Sequence, residues 1–363
     1  MLKNVHLWLP AYFARRKPFP GPPPTHVFFC FVDHYEPLWL GASPEKGLER
    51  VRHWREEYPK MAGRFRDAEG RPPQHTFFYP AEEYRPELLG ELSALCAAGY
   101  GEVEIHLHHD NDTAPHLRDG IEEYKLKLRG HGHLPSDGDG RTRYGFIHGN
   151  WCLDNSRRDG RWCGVNNELQ VLRETGCYAD FTLPSAPSEC QTRKINSIYY
   201  ATDDPQRPKS HDTGIDVRVG GRPTGDLLLI QGPLALNWHD RKFGLLPRIE
   251  NADVAGQSPA TASRVDNWIR QRVGVLGKPD WVFVKVHTHG CQEKNFSGAF
   301  GPTAVAMHEH LQRRYNDGRN FVLHYVTARE AYNLVKAAEA GKAGPPDQFR
   351  NFLLPPPPLT VRA

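Results

Sequence analysis

Short apolar segments alternate with longer amphipathic segments along most of this chain. THVFFCFVD (25–33) is apolar almost throughout, and the charged, amphipathic PEKGLERVRHWREEYPKMAGRF follows it. HTFFYP, EVEIHLH, RYGFIHGNW, YADFTLP, WVFVKVHTH and NFVLHYV repeat the strand pattern, and helical patterns separate most of them. Strands buried on both faces of a parallel sheet are continuously apolar, and alternation with helices indicates βαβ units. We therefore predict an α/β fold with a parallel sheet.

The alternation has limits that divide the chain into parts. Residues 25–340 form the predicted α/β body, and within it residues 190–250 contain strand-like patterns and turn residues but no helical pattern. We expect a β-rich insertion there, or a hairpin flap beside the body. Residues 1–24 and 341–363 are a proline-rich N-terminal arm and a proline-rich C-terminal tail, which predicts extended segments that are wrapped on the surface or loose.

Composition restricts the expected partners. The 363 residues carry a formal net charge of +3 without a block rich in Lys and Arg, so nucleic acid and anionic membranes are not expected partners. No segment approaches the roughly 18 apolar residues that span a bilayer, and the start lacks the order of a signal peptide. We expect a cytoplasmic protein without membrane insertion, or one whose leader was removed before this numbering begins. The 7 cysteines form no CxxC pair, which disfavours a disulfide framework or a cysteine-rich zinc site.

Histidines follow a strand pattern in VEIHLHHDND (103–112). Side chains alternate along a strand, so His106 and His108 share one face, and two imidazoles that project the same way suit zinc. Asp110 and Asp112 follow in the loop and could add an oxygen ligand. A solvated loop with hydrogen-bonded histidines is the alternative.

Two other strand ends carry matching groups. WVFVKVHTHG places His287 and His289 on one face, and FVDHYEP places Asp33 and His34 where a buried strand opens into a loop. A carboxylate at such a position can bind metal or act as a general base, or it can simply cap the following turn. The carboxyl ends of parallel strands meet at one edge, so the sequence predicts a metal site there.

The order of these elements resembles a known superfamily. HTFFYPAEEYRPELLGELSALCAAGYGEVEIHLHHDND resembles the central block of the polysaccharide deacetylase (NodB-homology) superfamily, and FVDHYEP falls at its first motif. YGFIHGNW with NNELQVLRETGCYADF resembles the third and fourth motifs, and WVFVKVHTHG resembles the last. The resemblance covers roughly residues 25–335 and implies a distorted (β/α) barrel of about seven parallel strands, with the β-rich insertion added.

The resemblance also implies a function and a set of site residues. The function is hydrolysis of N- or O-acetyl groups on a carbohydrate by one divalent metal, with zinc expected. Asp33 would be the general base and His287, or failing that His289, the general acid. The implied metal ligands are His34, His106, His108 and Asp112, and the implied substrate-binding residues are His148, Asn150, Trp151 and His289.

The chain differs from the family pattern at three places. His34 replaces the second aspartate of the first motif, an aspartate replaces the second histidine of HxxxH, and His148–Trp151 replaces the Arg-Pro-Pro-Tyr motif. The four-residue spacing of HxxxH fits His108 with Asp112 and equally fits His106 with Asp110. The sequence therefore does not decide which of these two pairs aligns with the motif. Two alternatives remain: an amidohydrolase-type hydrolase of a small amide or ester, in which both HxH pairs bind metal, or a barrel that binds carbohydrate without cutting it.

Overall fold

The computed structural model describes residues 3–15 and 19–359 and shows helices packed on one large sheet. The strands are β1 (Thr25–His34), β2 (His75–Pro80), β3 (Gly101–Leu107), β4 (Tyr144–His148), β5 (Cys177–Asp180), β6 (Ile198–Ala201), β7 (Ile215–Asp216), β8 (Leu227–Ile230), β9 (Ala235–Lys242), β10 (Leu246–Glu250), β11 (Trp281–Thr288) and β12 (Phe321–Val326). The helices are α1 (Val5–Ala14), α2 (Pro44–Ala62), α3 (Pro86–Leu95), α4 (Ala114–Gly130), α5 (Glu168–Thr175), α6 (Ala262–Arg270), α7 (Phe296–Ala299), α8 (Pro302–Tyr315) and α9 (Ala328–Glu339).

The large sheet has the strand order β11-β1-β2-β3-β4-β5-β8-β6-β7, with β12 paired to β1. Every ladder found in its described strands is parallel, apart from the two that β6 makes with β7 and β8. The predicted α/β fold with a mostly parallel sheet is confirmed. Within residues 3–15 and 19–359, no hydrogen-bonded ladder closes this sheet into a barrel.

Alternation along β1 divides the core between the two faces of the sheet. Phe29 and Phe31 pack on the outer face with Trp54 of α2. Phe28 and Val32 pack on the inner face, where α9 also lies. Burying an aromatic or branched side chain contributes about 1.5–3 kcal/mol to the stability of the fold. A shift of β1 by one residue would exchange its two faces, so this burial fixes the register of the strand. The inner face becomes polar toward the carboxyl ends of the strands, and the predicted site lies there.

The N-terminal arm contains a helix, contrary to the expectation of an extended segment. Helix α1 includes Pro10, and Trp8 is wholly buried beside Ala186, Ile195 and Leu234. A proline inside a helix costs about 3 kcal/mol, and burial of Trp8 offsets that cost. Residues 1–2 and 16–18 of the arm lie outside the described residues. None of the described helices combines the length and the apolar character needed to cross a bilayer.

The predicted insertion and tail are both tied to the body. Residues 190–250 contain β6 to β10 and no α-helix, but β8 lies beside β5 in the parallel sheet. Only β6, β7 and the separate hairpin β9–β10 are therefore additions to the parallel sheet. The C-terminal tail packs on α9, with Arg350 and Leu354 buried, which contradicts a loose tail. Residues 360–363 lie outside the described residues.

Candidate metal centre

Five histidines meet at the carboxyl ends of β1, β3 and β11. His34 ends β1, His106 and His108 lie at the end of β3, and His287 and His289 lie at the end of β11. The His34 ring is centred 5.0 Å from that of His106 and 4.7 Å from that of His289, and the His106 and His108 rings are 4.6 Å apart. The convergence predicted from strand alternation therefore holds for these residues, hereafter the histidine cluster.

A carboxylate not predicted from the sequence joins the histidine cluster. Glu36 Oε1 lies 3.5 Å from His106 Nε2 and 3.3 Å from His108 Nε2, and the residue is 3% exposed. Its Oε2 has no hydrogen-bond partner. Glu36 follows His34 by two residues, and Tyr35 between them packs in the core on the opposite face. Glu36 could have been predicted by continuing the alternation of side chains along β1 for two residues past the end of the strand.

Hydrogen bonds orient the two imidazoles of this HxH pair toward Glu36. His106 Nδ1–H donates to the backbone carbonyl of Ile147 at 2.8 Å, so the lone pair is on Nε2, a buried atom without a hydrogen-bond partner. His108 Nδ1 contacts the Glu82 carboxylate. Metal-binding histidines commonly donate their second nitrogen to a carbonyl or carboxylate in this way. Glu36, His106 and His108 offer ligand atoms within 4.8 Å of one another and could hold a metal ion.

Charge pairing favours an ionised Glu36 and a protonated His108. Burial disfavours the Glu36 carboxylate, but its contacts with the imidazoles of His106 and His108 outweigh burial and lower the pKa of Glu36 to about 2. Burial also opposes the charge on His108, yet contacts with Glu36 and Glu82 raise the pKa of His108 to about 10. An imidazole must lose this proton to bind metal. A divalent cation would then supply the positive charge that the two carboxylates require.

His34 lies between this ligand group and a cavity. Burial and the neighbouring histidines hold the pKa of His34 well below its usual range. A cavity of about 650 Å³ is lined by His287, by His289, which stacks on His34, and by Trp39 and Trp151. The Trp151 ring is centred 5.9 Å from both His34 and His289. Trp151 and His289, both predicted as substrate-binding residues, therefore line one cavity beside the ligand group.

Asp33, predicted as the general base, lies outside the histidine cluster. Its Oδ2 is 2.9 Å from His75 Nε2, and its Oδ1 accepts the backbone N–H of Gly290 at 2.6 Å in a wholly buried setting. Adjacent residues of a strand face opposite sides, so Asp33 cannot share a face with His34. Trp54 donates to the Gly290 carbonyl at 2.9 Å. Asp33 thus fixes the turn after β11 and has no part in the catalytic set proposed below.

Two more predicted site residues lie outside the histidine cluster. They are Asp112, predicted as a metal ligand, and His148, predicted as a substrate-binding residue. His148 is on the outer, helix-facing side of β4, where its Nε2 is 3.4 Å from Glu168 Oε1. Asp112 Oδ2 is 3.2 Å from His109 Nδ1. Strand alternation does not reach Asp112, because β3 ends at Leu107. Both residues belong to a neighbouring group of side chains.

The segment Gly149–Trp151 turns sharply after β4. Asn150 and Trp151 have φ angles of 54° and 58°, a region that residues with side chains rarely adopt. This turn carries Trp151 to the cavity, with Asn150 beside it. Asp110, the ligand in the alternative alignment with HxxxH, accepts the backbone N–H of Trp162 at 2.6 Å and so helps to hold the loop that follows.

Gly149 supports the His108 ring, and this contact makes a testable prediction. A Cβ at Gly149 would lie 2.3 Å from His108 Cδ2. We expect Gly149→Ala to displace the ring and to weaken zinc binding by about 10- to 100-fold, the effect typical of a lost outer partner. Competition with a chromophoric chelator measures this affinity. Gly138→Ala, where a Cβ meets nothing within 4 Å, is the matched control. Unchanged zinc affinity in Gly149→Ala would contradict the role of His108 as a ligand.

The resemblance to polysaccharide deacetylases rests on the order of motifs and on the residues quoted for it. Independently of that resemblance, Glu36, His106 and His108 could hold a metal ion, and a cavity lies beside them. Compared with protein-family models and with curated proteins, the chain gives no match in either set.

Proposed function

We propose that this protein is a metal-dependent hydrolase that removes acetyl groups from a carbohydrate, with a NodB-like arrangement of strands. One observation carries the proposal: the buried Glu36 carboxylate converges with two imidazoles, and both Glu36 Oε2 and His106 Nε2 lack hydrogen-bond partners. Buried polar atoms are rarely left unpaired, and a divalent ion would satisfy both. The group lies at the carboxyl ends of parallel strands, where α/β proteins commonly bind their ligands.

Three protein ligands suit a catalytic zinc site, because they leave a coordination position open. Glu36, His106 and His108 would hold the ion, and Glu82 would be the outer partner of His108. The His108 side chain is 31% exposed, so solvent and substrate reach the group. When bound, the metal supplies Lewis-acid activation of water and of the acetyl carbonyl.

Histidines beside the ligand group are suited to proton transfer. His34 replaces Asp33 as the proposed base, because its buried, neutral imidazole lies between the ligand group and the cavity. The rings of His287 and His289 are centred 6.3 and 4.7 Å from that of His34. A proton taken up at His34 can return through either one to the departing amine or alkoxide, and His287 remains the proposed acid.

Two tryptophans give the cavity aromatic surfaces. Trp39 and Trp151 rings are centred 6.3 and 5.9 Å from the His289 ring. Such rings offer large, rigid contact area to the C–H face of a sugar. Asn251 and Gln292 line the same cavity and can exchange hydrogen bonds with sugar hydroxyls. This combination of aromatic and amide groups favours a carbohydrate over a small apolar amide.

Removing one aromatic surface is expected to weaken substrate binding. We expect Trp151→Ala to raise KM for an acetylated oligosaccharide by about 2- to 12-fold, because an aromatic contact is worth about 0.5–1.5 kcal/mol. Hydrolysis of a small acetate ester, which needs no stacking, should change much less. Steady-state kinetics on both substrates measures the difference, with Trp151→Phe as the conservative variant. An equal loss on both substrates would show that Trp151 supports the catalytic residues and does not bind sugar.

The function is tested by acetate release. Zinc-loaded protein is incubated with N-acetylated and O-acetylated oligosaccharides, before and after chelation and after zinc is added back. We expect acetate release that chelation abolishes and zinc restores. No acetate from any of these sugars by fully loaded protein would contradict the proposal. Binding of the same sugars without cleavage would then favour the carbohydrate-binding alternative.

Metal binding by both HxH pairs would favour the amidohydrolase-type alternative. His287 and His289 belong to no group of three converging ligand atoms found among residues 3–15 and 19–359. They line the cavity instead, which supports a role toward the substrate. We therefore prefer the deacetylase.

A further inference from the structure

A second group of metal-ligating side chains lies beside the histidine cluster. His109 follows β3, His148 ends β4, Cys163 lies in the loop after β4, and Glu168 begins α5. Glu168 Oε1 is 3.2 Å from His109 Nε2 and 3.4 Å from His148 Nε2, and Cys163 Sγ is 3.5 Å from Glu168 Oε2. One ligand atom from each of the four residues lies within 4.8 Å of the others. We refer to these four residues as the thiol cluster.

Both imidazoles of the thiol cluster are oriented as ligands. His148 Nδ1–H donates to the Gly149 carbonyl at 2.6 Å, so Nε2 carries the lone pair. That atom has no hydrogen-bond partner although the residue is wholly buried. His109 Nε2 shares a hydrogen bond with Glu168 Oε1 at 3.2 Å, which a bound ion would replace. Its Nδ1 lies 3.2 Å from Asp112 Oδ2, and a carboxylate near the second nitrogen is common among metal-binding histidines. Asp112 is thus next to a metal ligand of this cluster.

Backbone N–H groups surround the sulfur of Cys163. Asn155 and Val165 donate to Sγ at 3.3 and 3.4 Å, and the cysteine is wholly buried. The thiolate is the form of cysteine that binds metal, and two N–H donors stabilise negative charge on the sulfur. The geometry therefore suits a metal thiolate.

We propose that His109, His148, Cys163 and Glu168 bind a structural Zn²⁺ ion, with the thiol proton released to solvent. Four protein ligands complete a tetrahedral shell, as in structural zinc sites, whereas the three ligands at the histidine cluster leave a position open. A thiolate with two imidazoles favours zinc over hard cations such as Mg²⁺. This site does not depend on the proposed hydrolase activity and would exist in a protein that only binds sugar.

The ion would tie the loop after β4 to β3 and α5. Left-handed backbone is unfavourable for residues with side chains, and such residues persist where surrounding contacts over-determine them. The loop holds Trp151 beside His34, so the structural ion would fix one wall of the cavity. This loop contains such left-handed backbone at five non-glycine residues between positions 149 and 167, where φ is positive: Asn150, Trp151, Asp154, Asn155 and Trp162.

Cobalt(II) distinguishes the two sites because only the thiol cluster contains sulfur. The full chain is freed of metal with a chelator and titrated with Co²⁺ while its near-ultraviolet spectrum is recorded. We expect an intense sulfur-to-cobalt charge-transfer band in the parent protein. Cys163→Ser should lose this band, whereas His106→Ala, altered in the other cluster, should keep it. The control Cys96→Ser makes the same change at a buried cysteine outside both clusters and should also keep it.

A variant that is safer for folding tests the same site independently. The His109 side chain is 9% exposed and lies at the loop edge of the group, so His109→Ala removes a ligand with less disturbance of the core. We expect its affinity for Co²⁺ at the sulfur-containing site to fall at least about tenfold. No charge-transfer band in the parent, or an undiminished band in Cys163→Ser, would overturn the proposal. Unchanged affinity in His109→Ala would do so as well.

Discussion

Replacing His106 with alanine is expected to remove about one equivalent of zinc and to lower deacetylation by at least about a hundredfold. His106 is wholly buried, its Nδ1–H is held by the Ile147 carbonyl, and its Nε2 faces Glu36 without a hydrogen-bond partner. Loss of an outer partner alone costs about 10- to 100-fold, and loss of a ligand should cost more. Elemental analysis and acetate release on the same protein sample measure both effects.

The control for this variant separates ligand loss from a general effect of removing a histidine. His239→Ala makes the same change on an exposed part of β9 and should retain metal and activity. Circular dichroism checks that His106→Ala is folded, because the substitution also leaves the Ile147 carbonyl unpaired. Full zinc content in a folded His106→Ala protein would sink the three-ligand site. Loss of activity with zinc retained would place the metal elsewhere.

Strand alternation explains why most of the histidine cluster could be predicted. His34, His106 and His287 lie inside strands, where every second side chain faces the same side. The same rule excludes Asp33 from the histidine cluster, because Asp33 is adjacent to His34, and it predicts that Glu36 belongs to the cluster. It also places His148 on the outer face of β4, opposite to Ile147. The resemblance to a family motif led to Asp33 and His148, and the local period was the better guide.

Contacts that bring loops together had no signal in the sequence. Glu82 follows β2, and Cys163 and Glu168 come long after His109 in the chain. Their positions depend on how the connections after β2, β3 and β4 fold over the sheet. The alternation of side chains within a strand does not predict the path of a connection. The α/β class followed from alternating patterns, because these repeat along the chain. Branching of β12 from β1 and the place of β8 in the parallel sheet depend on pairings between distant strands.

Replacing Arg350 with methionine is expected to destabilise the fold by about 3–5 kcal/mol, the usual cost of leaving buried charges without a partner. The guanidinium is 1% exposed in a tail predicted to be either wrapped on the surface or loose. It contacts the carboxylates of Asp67, Glu69, Glu330 and Asp347, and donates to the Tyr325 carbonyl at 2.8 Å. Methionine keeps much of the volume but leaves these carboxylates without their common cation.

Denaturant unfolding at neutral pH measures the free energy of unfolding of Arg350→Met. The matched control Arg222→Met, in an exposed irregular segment, should lie within about 0.5 kcal/mol of the parent. The deficit of Arg350→Met should shrink as the pH falls, since protonation removes the negative charges that its loss leaves unpaired. A neutral-pH loss under about 1 kcal/mol would mean that the tail rests loosely on α9. A large loss that acid relieves would instead show that this segment, which carries no strand or helix pattern, is held to the core by charge.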